Sequence, residues 1–281
     1  MSNRKRSGFL FSAVCFGIAF LYIPMIMLIV YSFNKSKIVP VWGGFSTKWY
    51  GVLFESEPIW EAVSLSLKIA TVNACFATIL GTLAGLALVR FGSFKGRTLF
   101  SGMISAPLVM PEVITGLSLL LLFITLKEFI GWPDKRGFTT ITIAHITFSM
   151  AYVAVIIQSR LAGMAQDLEE AAQDLGAKPF RVLIDITLPL LAPGMLAGWL
   201  LSFTLSLDDL IIASFVSGPG AVTLPMLIYS RVRLGLRPDI NALATIIILV
   251  VAAGVLLAGY IMLRQQRQHE LEQSMTAEES L

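Results

Sequence analysis

Charged residues are scarce in this sequence. Lys, Arg, Asp and Glu together make up 14% of its 281 residues, whereas hydrophobic residues make up 56%. Soluble domains contain about 25% charged residues, and the mean hydropathy of +0.78 lies outside the range of such domains. Apolar runs repeatedly reach the roughly 20 residues that a helix needs to cross a bilayer. The composition therefore excludes a soluble globular domain and predicts an all-α, polytopic membrane protein surrounded by lipid.

Cysteine and histidine are also rare, with two residues of each. Cys15 and Cys75 both fall within apolar runs, which is typical of small core residues and not of a disulfide or a metal pair. His145 stands alone within an apolar run, and His269 lies in a polar tail. We therefore expect no metal site and no nucleophile–His–acid set, and we interpret His145 as an interhelical hydrogen-bond partner.

The sequence contains no Gly-x-x-x-x-Gly-Lys-Ser/Thr run, the loop that cradles the phosphates of ATP. Its net charge of +3 is small and spread along the chain, so no nucleic-acid partner is indicated. We accordingly expect no catalytic residue and no bound cofactor in this chain.

Long apolar runs predict six transmembrane helices between residues 9 and 263. The predicted spans cover about residues 9–33, 63–89, 99–126, 139–158, 190–216 and 241–263. Residues 1–8 form a short N-terminal segment, and the polar tail 264–281 is predicted to fray. Over the whole chain the bias of basic residues is weak, but those before span one and in the turn after span two favour an orientation with both termini in the cytoplasm. The first run is too long for the apolar region of a signal peptide, so we expect it to remain uncleaved.

Span two also carries small residues four positions apart, at Ala77, Gly81 and Gly85. Such a stripe favours close packing against another helix. Outside the spans, short external helices are expected within residues 34–60 and over residues 223–234. Tryptophan and tyrosine cluster in the first of these segments, as is typical of the membrane interface.

Acidic residues are the exception within the apolar runs. Glu112 follows two prolines, Pro107 and Pro111, that are expected to interrupt span three, and Asp208 and Asp209 lie within span five. Irregular backbone at membrane depth is tolerated where it is buried in protein or lines a cavity, and acids there are candidates for function. Consecutive helical residues point about 100° apart. Only one of the two aspartates should therefore face a central path, while the other pairs with a neighbouring helix or subunit.

The polar interval of residues 159–187 lies between spans four and five and predicts two short helices. Glu169 and Glu170 fall near the start of the first helix, where the helix dipole favours acids. Gly176 is suited to end that helix, and Pro179 suits the first turn of the second. A pair of helices between two spans has no role toward lipid, so we expect it to contact another protein.

The same interval carries a pattern that resembles the cytoplasmic signature of permease subunits of binding-protein-dependent ABC importers. The matching residues are Glu170, Ala171, Ala172, Gly176, Ile186, Leu188 and Pro189. The resemblance implies the type I ABC importer permease fold, in which this loop forms a coupling helix seated on the ATPase subunit. The implied coupling residues are Glu169, Glu170, Ala171, Ala172, Gly176 and Pro179. The alanines would let a partner backbone approach closely, and Glu170 could pair with a basic group.

Four further stretches are similar to the permeases of polyamine importers: residues 106–118, 205–209, 215–220 and 241–245. Glu112 stands where those proteins commonly have Asp. The resemblance implies a bacterial inner-membrane complex in which this chain forms a heterodimer with a second, homologous permease. Two copies of a cytoplasmic ATPase would bind ATP and Mg, and a periplasmic binding protein would deliver the polyamine, with putrescine favoured over spermidine.

A polyamine carries several positive charges, so its path through a low-dielectric region needs acidic or aromatic partners. Glu112, Asp208 and Asp209 are the acids predicted within spans and are therefore the candidate path residues. They could equally brace helices or the subunit interface. One alternative is an ABC permease of the same fold for another small solute. Another is a secondary transporter that relays protons through these acids, although that reading leaves the coupling motif unexplained and no internal repeat is visible.

Overall fold

The computed structural model describes residues 2–38, 41–235 and 238–279, and these ranges are almost entirely helical. Twelve α-helices follow one another in the described chain. They are α1 Ser2–Ser32, α2 Lys48–Phe54, α3 Glu57–Arg90, α4 Arg97–Val109, α5 Glu112–Ile130, α6 Phe138–Ala162, α7 Asp167–Asp174, α8 Pro179–Val182, α9 Leu188–Asp208, α10 Ile211–Val216, α11 Leu224–Leu234 and α12 Pro238–Glu279. A π-helical turn at Leu183–Thr187, here called the π-turn, joins α8 to α9.

Six helical segments of the described chain are long and apolar enough to cross a membrane. They are Phe9–Ser32, Glu57–Arg90, Glu112–Ile130, Phe138–Ala162, Pro179–Asp208 and Pro238–Tyr260. The prediction of six spans is therefore confirmed, and so are the two short helices expected within residues 34–60 and over 223–234, which form α2 and α11.

The third span is interrupted, as predicted, but at one proline and not at two. Pro107 lies inside α4, whereas Met110 and Pro111 are extended, with ψ angles of 135° and 136°, and separate α4 from α5. A proline close to the end of a helix removes a single hydrogen bond, so α4 tolerates Pro107. The span predicted over 99–126 thus consists of two helices, α4 and α5.

The fifth span differs more from its prediction. It was expected to begin near Leu190, but helical structure already starts at Pro179 and reaches Asp208 through the π-turn. Within the π-turn, the N–H of Leu188 bonds the carbonyl of Leu183, five residues earlier. The sequence also indicated no interruption, whereas the helix stops at Asp208 and resumes as the short α10, which ends at Val216 near the expected end. The second helix of the polar interval is therefore continuous with span five.

One compact unit, Pro58–Ser230, is built around α6. Ala151, Val153 and Ile157 of α6 are completely buried. The small-residue stripe of α3 packs here, as predicted: a Cβ added at Gly81 would lie 2.6 Å from Cβ of Val153, and one added at Gly85 would lie 2.8 Å from Cγ2 of Ile157. The absence of side chains at these positions lets α3 approach α6 closely.

The second unit combines the chain before Pro58 with the chain after Ser230. Here α12 contacts both α1 and α2. The indole Nε1 of the buried Trp49 donates to the carbonyl of Asn34 at 2.7 Å, and Arg231 Nη1 lies 2.7 Å from Asp239 Oδ2. Helix α12 continues to Glu279 where a frayed tail was predicted. The final residues of that predicted tail, 280–281, and residue 1 of the predicted N-terminal segment lie outside the described residues.

Candidate coupling site and transport path

Helix α7 forms the first half of the polar interval and ends at Gly176, as the sequence predicts. Gly176 adopts a φ of +87°, in the left-handed region that favours glycine. Its N–H bonds the carbonyl of Gln173 at 2.8 Å, and the N–H of Ala177 bonds that of Ala172 at 3.0 Å. These two bonds form a Schellman motif, which satisfies carbonyls at the helix end. The chain then reverses into α8, which starts at Pro179.

No residue of α7 is buried, and its surroundings expose several apolar side chains. Glu170 and Ala171 are exposed, while Ala172 is half-buried. Leu168 is 55% exposed, Phe180 is 71% exposed, and Leu175, next to the helix end, is 90% exposed. Apolar side chains grouped on a polar connection are typical of a protein interface. This surface, formed by Leu168, Glu170, Ala171, Leu175 and Phe180, is called the coupling surface below.

Glu169, unlike Glu170, contacts other segments of the chain. Its Oε2 lies 3.2 Å from Nε of Arg90, the last residue of α3. Its Oε1 accepts hydrogen bonds from Arg90 Nη2 at 3.2 Å and from Thr187 Oγ1 at 3.0 Å. The sequence grouped Glu169 with Glu170 as equivalent coupling residues, but the structure gives them different surroundings. Arg90 was identified only as part of a basic turn, and nothing in the sequence indicates Thr187 as a partner.

Asp209 is held firmly at the break between α9 and α10. It accepts hydrogen bonds from the backbone N–H groups of Ala213 at 2.7 Å and Ile212 at 3.3 Å. Its Oδ2 also lies 3.2 Å from Nε2 of His145 in α6. The other ring nitrogen of His145 forms a 2.7 Å hydrogen bond with Ser206 Oγ. His145 is thus an interhelical hydrogen-bond partner, and Asp209 binds a neighbouring helix.

Asp208 and Glu112 have different surroundings from Asp209. Both are exposed, and neither forms a salt bridge within the described part of the chain. Asp208 is the last residue of α9, and Glu112 is the first residue of α5. Helices α5 and α10 pack closely together: a Cβ added at Gly116 of α5 would lie 3.3 Å from Cα of Ile212 in α10. The two exposed acids therefore adjoin helices that are in contact with each other.

Among the described residues, no group of three His, Cys, Asp or Glu side chains is arranged to hold a metal ion. Ser206, His145 and Asp209 do form a hydrogen-bonded hydroxyl–His–acid chain, which the sequence did not lead us to expect, and these contacts join α6 to the end of span five.

Residues 77–268 match the family described as the binding-protein-dependent transport system inner membrane component. The chain belongs to this family. The matched range contains α7, the π-turn and all three candidate path acids. Together with the six apolar helices, membership makes the chain a multi-pass inner-membrane protein.

Relatives within this permease family are similar along nearly the whole chain. The chain is 58% identical over 252 residues to the putrescine transport system permease protein PotI of Escherichia coli (strain K12), covering 90% of each chain. It is 43% identical over 248 residues to the spermidine/putrescine transport system permease protein PotC of the same strain, covering 88% of this chain and 91% of the relative. These relatives are transport permeases and not enzymes.

Solved structures of ABC importers share the fold of this permease. A bacterial ABC transporter involved in the import of the acidic polysaccharide alginate aligns with a TM-score of 0.68 at 15% identity, covering 93% of this chain and 98% of the other. The alginate transporter in complex with an alginate-bound periplasmic protein aligns with a TM-score of 0.70 at 18% identity, covering 91% and 92%. At such low identity the likeness concerns the fold alone.

Proposed function

We propose that this chain is a permease subunit of an ATP-driven importer that moves a polyamine, putrescine in preference to spermidine, from the periplasm to the cytoplasm. The substrate class is supported by the 58% and 43% identity to permeases of putrescine and spermidine/putrescine systems. One geometric observation carries the proposal: the coupling surface is exposed, and it adjoins α8, which continues into span five.

The coupling surface is the proposed docking site for a cytoplasmic ATPase. Glu170 is free to pair with a basic group of that partner, Leu175 and Phe180 offer apolar contacts, and Ala171 permits close approach of a backbone. Burial of exposed apolar side chains drives association of this kind. This assignment places α7 and both chain termini on the cytoplasmic side, with ATP and Mg bound by the ATPase and not by this chain.

The exposed acids Asp208 and Glu112 are the proposed contacts for the cationic substrate. A cation leaving water for a low-dielectric path is stabilised by nearby carboxylates. The carboxylate of Asp209 already accepts hydrogen bonds from α10 and contacts His145. Asp209 therefore acts on the path indirectly, by fixing the position of its neighbour Asp208. A second, homologous permease would complete the path, and a periplasmic binding protein would supply the polyamine.

Reconstitution of the complete complex in proteoliposomes tests the proposal. We expect uptake of labelled putrescine that requires ATP hydrolysis and the binding protein and that survives a proton ionophore. Transport of an amino acid or an anion in place of putrescine would assign the fold to another solute. Uptake without ATP that the ionophore abolishes would identify a proton-coupled carrier.

Variants of the coupling surface test the docking site separately. Glu170→Arg and Leu175→Asp should reduce co-purification of the ATPase while leaving membrane insertion intact. Lys95→Gln changes an exposed charge outside this surface and serves as the control. Normal ATPase association in both surface variants would rule out this docking site.

A further inference from the structure

Three segments of the chain meet at one carboxylate. Glu169 of α7 contacts Arg90 at the end of α3 and Thr187 at the end of the π-turn. The guanidinium approaches the carboxylate through two nitrogens, each 3.2 Å from a different oxygen. Arg90, Glu169 and Thr187 are called the Glu169 cluster below. Arg90 and Glu169 lie 79 residues apart in sequence, so the cluster joins segments that are not neighbours along the chain.

The cluster is largely shielded from water. The side chains of Arg90 and Glu169 are 13% and 14% exposed, and Thr187 is buried. Arg90 donates one charge-assisted hydrogen bond, from Nη2 to Oε1, while its Nε lies within ion-pair distance of Oε2 without forming a hydrogen bond. Removal of one partner from a shielded pair leaves an uncompensated charge. While the cluster is intact, a displacement of α7 must therefore move the end of α3 and the π-turn as well. Helix α7 can move alone only if the cluster breaks.

The π-turn gives this connection a route into the membrane. π-Helical turns are uncommon and occur frequently at functional sites. This one directly precedes α9, a helix of 21 residues that ends at Asp208. At about 1.5 Å per residue, α9 extends roughly 30 Å. A displacement of the π-turn would therefore be passed along α9 to Asp208 and to the break at Asp209.

We propose that Arg90, Glu169 and Thr187 are positioning residues that transmit the displacement of α7 to spans two and five. This inference rests on the proposed function, since it assumes that an ATPase moves α7. The two adjacent glutamates then have different roles: Glu170 contacts the ATPase, and Glu169 contacts the transmembrane helices. Loss of the cluster should uncouple hydrolysis from transport without releasing the ATPase.

The test uses the reconstituted complex with Arg90→Gln, Glu169→Gln and Thr187→Val. Each variant should co-purify the ATPase at the wild-type level and hydrolyse ATP. Each should also import less putrescine per ATP hydrolysed, by about two- to thirtyfold, the range over which residues between coupled sites alter coupling. Thr187→Ser retains the hydroxyl and should restore the ratio, and Lys95→Gln, an exposed charge after span two, should leave it unchanged.

A double-mutant cycle between Arg90→Gln and Glu169→Gln examines the contact itself. Residues in one network give non-additive effects. The double variant should therefore import at least as much putrescine per ATP hydrolysed as whichever single variant imports less. Multiplicative losses, or an unchanged ratio in Thr187→Val, would overturn the proposal. Loss of ATPase co-purification in these variants would also overturn it, because the cluster would then belong to the docking surface. If the wild-type complex shows no ATP-dependent uptake, the proposed function itself fails.

Discussion

Nε2 of His145 lies 3.2 Å from Oδ2 of Asp209, and this contact joins α6 to the break in span five. His145 and Asp209 are 64 residues apart in sequence. Asp209 also accepts hydrogen bonds from two backbone N–H groups in the first turn of α10. The two adjacent aspartates therefore have separate roles in the structure, one fixed within the helix packing and one exposed.

Asp209→Ala should destabilise the protein, because it leaves two backbone donors at the start of α10 and the ring of His145 without their partner. Loss of a helix cap alone lowers stability by about 0.5–2 kcal/mol. A thermal melt of the purified protein should show a lower Tm. The adjacent Asp208→Ala, which removes an exposed carboxylate, is the matched control and should melt as the wild type does. Equal melting of the two variants would contradict the assignment.

Asp208→Asn and Glu112→Gln should weaken putrescine uptake while leaving the Tm unchanged. Two unit charges 4 Å apart interact by about 4 kcal/mol near a protein surface, so partial loss of such a contact should raise the KM for transport by about tenfold. Glu128→Gln, in the same helix as Glu112 and also exposed, is the control and should transport normally. Unchanged uptake kinetics in both variants would remove these acids from the path.

Gly176→Ala should impair the end of α7 through its backbone alone. A Cβ at this position meets no atom within 4 Å, but an L side chain in the left-handed region costs about 1–2 kcal/mol. Uptake should fall moderately in Gly176→Ala and be abolished in Gly176→Pro, whose nitrogen cannot donate to Gln173 and whose φ is fixed near −65°. Gly176→Asn should be the mildest change, since Asn tolerates this conformation. The reverse order of uptake would show that the turn is not required.

Gly81→Ala should destabilise the packing of α3 on α6. The added Cβ would lie 2.6 Å from Cβ of Val153 and 2.8 Å from the carbonyl oxygen of Met150. Overpacking of this kind costs about 1–3 kcal/mol. Gly102→Ala is the matched control, because Gly102 is also helical and meets nothing within 4 Å. Thermal melts should show a lower Tm for Gly81→Ala alone.

Much of the architecture could be predicted because it depends on local pattern and on the thickness of the bilayer. Apolar runs of sufficient length predicted six spans, and the described part of the chain contains six helical segments long and apolar enough to cross a membrane. The stop at Gly176 followed from glycine's access to positive φ. The stripe of Ala77, Gly81 and Gly85 predicted close helix packing, although the sequence did not identify α6 as the partner.

The continuity of span five could not be read in the same way. A polar segment followed by Pro189 suggested a new start near Leu190, whereas the structure keeps the chain helical by shifting to a π-type hydrogen bond between Leu188 and Leu183. The interruption at Asp209 was missed for a related reason. An apolar run gives no local sign that its helix stops, and the stop is stabilised by His145 on another helix.

The sequence by itself determined the class of protein, the number of spans and the position of the short helix α7, because each depends on residues that are neighbours along the chain. The tertiary structure alone decided that Glu169 contacts Arg90 and Thr187 while Glu170 stays exposed. It also decided that Asp209 is bound by His145 while Asp208 forms no salt bridge with another described residue. Adjacent residues of the same type carry the same local signal, and only partners brought from distant parts of the chain distinguish them.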